Sequence, residues 1–302
     1  MSVIASPEIG DPLPPLDAQA TLPLTVKTSR SGEAWLHNEV ARRMAQRLSL
    51  IRHPVKHWLH WAPRSGGLAS QTLLEQAFPK ADCTVVSQQP ADLAWCRQAL
   101  KQAWWQRWLR PSRHFSSDQP VPADMLWSNM GLHMQARPAQ WMQQWADSLN
   151  ADGFVMFSCL GPDSLQELRA LYADLAWPFP SHAFTDMHDW GDMLLGAGFA
   201  APIMDMERIT LTYETPQALL KDLRSLGRNL NPARFQACRG RGWLAQLQAQ
   251  LQSKLSSPAQ GGRLALTFEV IYGHAFKAPT RLTVKPQTQV SLDQMKAQLK
   301  RH

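Results

Sequence analysis

The sequence predicts an α/β fold built on a mostly parallel sheet. Short apolar runs of strand character alternate with amphipathic helical stretches from residue 32 onward, the pattern of strands joined by crossover helices. A glycine-bearing turn, Pro63-Arg64-Ser65-Gly66-Gly67, follows the first of these runs. No apolar segment approaches the ~18 residues of a membrane-spanning helix.

Taken in order, Trp35, Leu36, Val40, Met44 and Leu48 recur mostly at spacings of three to four, with Glu39, Arg42, Arg43 and Arg47 between them, so a helix is expected up to Pro54. HWLHW (57–61) reads as a strand, 68–78 as a helix, CTVVSQ (83–88) as a strand and 91–109 as a helix. Further strands are expected at 124–129 and 154–160, with a helix over 138–149 between them. Beyond residue 160 the rhythm changes: a helix over 163–175, a proline-bearing loop at 177–180, and a helix over 189–197 that stops at Gly198, a usual C-terminal cap. RITLTYE (208–214) and LALTFEVIYGHAF (264–276) alternate as strands, the second placing Leu266, Phe268, Val270 and Tyr272 on one face. Between them lie helices over 216–226 and 243–255, an insertion spanning about 215–260. Three segments result: a loosely ordered leader (1–31), one α/β domain (32–279) and a polar tail (280–302).

Lys and Arg outnumber Asp and Glu by 31 to 24 in the 302 residues. A basic surface suits nucleic acid, anionic lipid or an acidic protein. No zinc finger, RNA-recognition signature or uninterrupted basic run accompanies the charge, which disfavours nucleic acid. Met1–Leu24 has neither a basic n-region nor an apolar h-region, which argues against a secretory signal. Cys83, Cys96, Cys159 and Cys238 lie far apart with no CxxC spacing, so thiols in a reducing cytoplasm are expected and no metal site.

Four phrases carry a resemblance: DMLWSNMGLHM (124–134), GFVMFSCLGPDSLQELR (153–169), HDWGDMLLGAGF (188–199) and TFEVIYGHAF (267–276). Together they resemble the malonyl-acyl-carrier-protein O-methyltransferases of biotin synthesis, which use S-adenosylmethionine (SAM). The resemblance runs from about residue 32 to 276 and is poor from 60 to 122. It implies a Rossmann-like class I methyltransferase: a seven-stranded, mostly parallel sheet with helices on both faces and a helical insertion between the last two strands. It also implies SAM as cofactor and, as partner, an acyl-carrier protein bearing a malonyl thioester.

Laid on the family's cofactor loop, His60 takes an acidic position, Ala62 and Arg64 take two glycine positions, Ser65 the small polar one, and Gly66 keeps the last glycine. Such glycines let the ligand approach bare backbone, so Arg64 is a departure unless its guanidinium swings away. Ser87 and Gln88 stand where a carboxylate should accept both ribose hydroxyls. The fourth-strand phrase supplies Ser128 and Asn129 near the cofactor and His133 near the substrate, although Asn129 and His133 equally suit a helix cap and its packing. Burying the malonyl carboxylate requires a hydrogen-bonding or cationic clamp, for which the matching phrases offer His133, Arg169, His182 and His188, with Arg208 weaker. Arg169 could instead pair with Glu167 or Asp163, and His188 could belong to a helix N-cap. The family's N-terminal tyrosine is replaced by Thr28, Ser29 and Arg30. Trp104, Trp105 and Trp108, interleaved with basic residues, form either a cation–π docking helix or a core face.

Two further readings stay open. One is a methyltransferase fold that has lost its cofactor and docks a carrier protein or partner subunit. The other is a nucleic-acid methyltransferase or binder using the tryptophan helix.

Overall fold

The computed structural model describes residues 13–17, 35–102, 111–118, 120–257 and 261–279. The expectations placed on the leader, on Thr28–Arg30, on Trp104, Trp105 and Trp108 and on the C-terminal tail lie outside these residues.

Helix α1 (Trp35–Arg47) opens the fold and buries Leu36, Val40 and Met44, one face of four-residue spacing. Then follow β1 (His57–Trp61), a single helical turn (Pro63–Gly66), α2 (Ala69–Ala77), β2 (Asp82–Val86), α3 (Pro90–Ala99), β3 (Arg113–Ser116), β4 (Ala123–Ser128), α4 (Pro138–Asp147) and β5 (Leu149–Leu160). The chain continues through α5 (Gln166–Asp174), α6 (Met187–Gly196), β6 (Phe199–Tyr213), α7 (Pro216–Leu226), α8 (Arg241–Leu255), a two-residue strand β7 (Ser256–Ser257) and β8 (Arg263–Lys277). Strand order is β3-β2-β1-β4-β5-β8-β6, with β7 pairing β8. The first five strands pair in parallel, while β8 runs antiparallel to both β5 and β6.

The sheet is covered on both faces because its strands alternate. In β1, Trp58 points into the core layer shared with α1, α2 and α5, whereas Leu59 and Trp61 point into the layer under α4 and α6. The second layer is built around Trp145 of α4 and Trp190 of α6. Among the described residues no helix is long and apolar enough to cross a membrane.

Several boundaries differ from the sequence expectation for identifiable reasons. β3 was not anticipated: Arg-His-Phe-Ser is a four-residue edge strand with no buried residue and no apolar alternation. β6 begins at Phe199 rather than 208, because its early half is an exposed edge with a register shift between Ala200 and Ile203 that breaks the period of two. Of the helix expected over 91–109, the described part runs from Pro90 to Ala99, and residues 103–109 lie outside the described residues.

Two contacts fix the frame. Asp124, at the start of β4, accepts hydrogen bonds from Lys56 N (2.8 Å), His57 N (3.1 Å) and Asn150 Nδ2 (2.9 Å). Burial raises its pKa, but these donors outweigh that and hold it below the usual carboxylate range. At the other edge Arg43 and Arg47 of α1 pair with Glu207 (2.9 Å) and Asp205 (2.6 Å) of β6.

Gly273 of β8 stands opposite Phe157 of β5, and a Cβ there would lie 2.1 Å from the Phe157 ring. Gly273→Ala is therefore expected to destabilise the domain by about 1–3 kcal/mol through overpacking. The check is the urea midpoint, which should fall with little change in the slope of unfolding.

Candidate functional site

The strand order reverses between β1 and β4, which leaves a crevice at the carboxyl ends of the strands, the usual ligand position in open α/β sheets. Here the crevice has a volume of about 330 Å³ and is lined by Trp61, Ala62, Ser65, Ser87, Gln88 and Asp92 on one side. The loop before α4 and α4 itself, including Arg137, Trp141 and Gln144, form the other. The Gln88 and Gln144 amides meet across it, Nε2 to Oε1, at 2.5 Å.

The loop after β1 turns sharply because Ala62 takes a left-handed conformation (φ 48°) just before Pro63, which starts the helical turn. Arg64 leans sideways, away from the ligand approach. Its Nη1 lies 2.8 Å from Asp92 Oδ1, its guanidinium sits 5.1 Å from the Trp95 ring, and the paired side chains are only 9% and 3% exposed. The arginine at a glycine position thus stays out of the crevice lining, to which the turn contributes Ala62 and Ser65. Asp92, in the first turn of α3, brings a carboxylate into the crevice wall beside Ser87 and Gln88, where the sequence pattern had shown none at the end of β2. Asp92 was missed because the pattern locates its acid on the strand, not one helical turn later.

Gly66 serves packing. A Cβ on it would fall 2.0 Å from the Asn129 backbone oxygen. Asn129 itself is fully engaged below the crevice: its Nδ2 donates to His37 O (2.9 Å) and Gly66 O (2.5 Å), and its Oδ1 accepts from Ser158 Oγ (2.8 Å). Ser128 Oγ is buried with no hydrogen-bond partner among the described residues. His60 is also beneath the site, with Nδ1 2.8 Å from Gln71 Oε1 and burial pushing its pKa down to about 4. Of the eight residues expected at the cofactor, Ala62, Ser65, Ser87 and Gln88 line the crevice. His60, Gly66, Ser128 and Asn129 support it from within.

A second cavity, of about 110 Å³ and mainly apolar, opens past the end of β5. His133 and His182 form one wall; Leu160, Leu165, Phe184 and Phe268 contribute apolar surface, and Arg228 and Asn229 from the insertion border it. Leu160 N–H donates to His133 Nδ1 (3.3 Å), which places the ring proton on Nε2. His182 carries its proton on Nε2 too, donating to His133 O (3.2 Å) while its Nδ1 accepts from Leu230 N (3.4 Å). The two rings stack 6.4 Å apart. Burial drives both pKa values down, that of His182 to about 4, so both are neutral donors at ordinary pH. Arg228 had no motif to reveal it.

The remaining candidates lie elsewhere. Arg169 donates to Pro162 O (2.6 Å) and lines a separate cavity of about 610 Å³ with Tyr172, Trp177 and Phe179. The Pro180–Ser181–His182 segment borders both cavities, His133 lining the first and Arg169 the second. Neither expected partner holds Arg169: Glu167 accepts from Thr267, and Asp163 pairs with Arg208. His188 is not brought to the site. Its side chain is 80% exposed, 2.6 Å from the N-cap carboxylate of Asp186, and borders neither the crevice nor the histidine-lined cavity.

The crevice fits SAM, the group that the sequence resemblance implies. Its volume lies within the range of about 300–1,000 Å³ usual for small-molecule sites, Ala62 and Ser65 of the turn border it without a bulky side chain, and Ser87, Gln88 and Asp92 in its wall offer acceptors for ribose hydroxyls. No group of described residues is suited to hold a metal ion.

Fold and crevice together define a class I methyltransferase. In agreement, a solved structure of a proposed methyltransferase from Bacillus halodurans C-125 superposes with a TM-score of 0.51 at 12% identity, covering 80% of this chain and 99% of that one. No protein-family model matches the chain. Among curated relatives, the malonyl-[acyl-carrier protein] O-methyltransferase of Laribacter hongkongensis is 36% identical over 257 residues, 82% of this chain and 84% of that protein. The protein of the same name from Gallionella capsiferriformans is 34% identical, over 84% of this chain and 90% of that protein. The chain belongs to the malonyl-[acyl-carrier protein] O-methyltransferase family.

The buried histidines make stability depend on pH. His37, His60 and His182 all have native pKa values lowered from 6.5 to about 4, so the unfolded chain binds more protons between those limits. Their contribution is present above about pH 6.5 and is lost on acidification, each site adding up to ~1.4 kcal/mol per pH unit within that window. Thermal unfolding is expected to shift to lower temperature from pH 7 toward pH 5, and less steeply in His60→Gln.

Proposed function

We propose that this protein methylates the free carboxyl group of a malonyl thioester carried on an acyl-carrier protein, in the cytoplasm and with SAM as methyl donor. The observation that carries this is that one loop after β4 lines both spaces: Gln135, Ala136 and Arg137 border the carboxylate-bearing crevice, and His133 and Met134 the cavity where His133 is a neutral donor. When bound, SAM supplies an activated methyl group. Ala62 and Ser65, with Ser87, Gln88 and Asp92, would hold it, while His60, Gly66, Ser128 and Asn129 keep the turn and β4 in register beneath. The acceptor carboxylate is already a nucleophile at neutral pH, so the enzyme's task is alignment and exclusion of water. His133 Nε2–H is placed to orient that carboxylate, and His182 holds His133 by its backbone. Arg169 shapes the neighbouring wall, and His188 has no part in this proposal.

Titration calorimetry with SAM is expected to give an affinity on the order of micromolar. No heat up to roughly millimolar SAM would overturn the enzyme reading in favour of a docking protein that keeps the fold. Asp92→Asn should weaken SAM binding about tenfold or more, the loss of a charged acceptor. His133→Ala should leave SAM affinity unchanged and lower kcat/KM for the malonyl thioester by roughly 100-fold, the cost of losing alignment.

A further inference from the structure

We infer that the helical insertion between β6 and β8 is the docking face for an acidic protein that delivers its thioester-linked acyl group to the histidine-lined cavity; this rests on the activity proposed above. Charge is the first support. From Thr215 to Ser257 the chain carries Lys221, Arg224, Arg228, Arg234, Arg239, Arg241 and Lys254 against the single acid Asp222. With 31 basic and 24 acidic residues in all, the rest of the chain is almost balanced, so the insertion holds nearly the whole positive excess.

These charges are also available. Arg234 pairs with Asp17 at 2.8 Å, but no ion pair engages the other six basic residues among the described residues. Asp222 is taken up by the Tyr213 hydroxyl at 2.6 Å. Lys221, Arg224, Arg241 and Lys254 are exposed. The helices carrying them are fixed from behind, α8 burying Leu247, Leu251 and Leu255 and α7 burying Leu219. Between the helices, the Arg239 guanidinium is held over Phe235 (4.0 Å) and Trp243 (4.2 Å), and Phe235 is 46% exposed. An exposed aromatic paired with arginine is a residue combination enriched in protein-docking surfaces.

Position is the second support. Leu223, Leu226, Gly227, Arg228 and Asn229, where α7 ends, line the cavity that His133 and His182 wall. A partner resting on this face can pass a thioester arm inward beside Arg228. The cavity is narrow and mainly apolar, suited to a short acyl chain and not to a stacked nucleobase, which favours an acidic protein over nucleic acid. Opposite charge raises the encounter rate and sets orientation.

The test compares wild type with Lys221→Glu/Arg224→Glu and with Arg241→Glu/Lys254→Glu in the full chain, none of which touches the two cavities' catalytic candidates. Methylation is followed on malonyl-carrier protein and on malonyl-pantetheine, the arm without its protein. The expected result is a rise of roughly tenfold or more in KM for the carrier-bound substrate, a weaker salt dependence, and rates on malonyl-pantetheine within about twofold of wild type. Unchanged KM for the carrier-bound substrate would overturn the proposal. Should neither substrate be methylated, the activity reading fails on its own. Fluorescence anisotropy of labelled malonyl-carrier protein then decides docking: binding by wild type that is lost on charge reversal supports it, and no binding refutes it. Competition by single-stranded RNA at equal affinity would transfer the surface to nucleic acid and also refute it.

Discussion

Asn129 joins segments that are distant in the chain. Its amide nitrogen holds the carbonyls of His37 in α1 and Gly66 in the loop after β1, while its oxygen receives the hydroxyl of Ser158 in β5. Ser158 in turn accepts from Met130 N (3.1 Å), so the turn after β4 is fixed by the same knot. A side-chain amide can satisfy both donors and acceptors at once, and in a buried position each of these bonds matters because an orphaned partner costs about 1–3 kcal/mol. The crevice floor, the first helix and the turn leading to His133 are therefore set by one residue. The missing Cβ of Gly66 belongs to this arrangement, since it lets the loop settle against the Asn129 backbone.

The departures from the family's cofactor loop look independent in sequence, and two of them are one exchange in space. A glycine position filled by Arg64 would obstruct a ligand if the side chain entered the crevice, and Ser87 leaves the end of β2 without an acid. Arg64 instead reaches Asp92, and Asp92 restores a carboxylate to the same wall. A buried pair of this kind is seldom a source of stability, because desolvation offsets its attraction. Its role here is positional: Asp92 is held at the crevice edge by a partner that the usual glycine could not provide.

Much of the sheet was legible because β1, β2 and β4 are short apolar runs bounded by turn residues, and the phrases from residue 124 onward located the end of β4 and the whole of β8. The edges were not, since Arg113–Ser116 and the first half of β6 lie half in solvent and keep no apolar period. For the site, Ala62, Ser65, Ser87 and Gln88 came from laying the family's cofactor loop on the sequence, and all four line the crevice. Asp92 and Arg228 could not be placed in this way, because each reaches its cavity from an element next to the expected one. Asn129 was visible as a motif residue, yet only coordinates distinguish a ligand contact from a structural knot that supports it. His188 follows its other reading, a partner of the helix N-cap on the outer surface.

The central place of β8 has a consequence for how the chain is made. β5 ends at Leu160, and the strand that covers its free side begins at Arg263. Until the insertion has been synthesised, the five parallel strands end in an uncapped edge whose Phe154–Leu160 stretch is a run of buried, largely apolar residues. Such an edge is a template for pairing with other chains, and domains assembled N-terminus first expose it for the whole interval. The docking insertion thus delays sheet closure, and a chain stalled before residue 263 would present an adhesive strand rather than a smaller version of the fold.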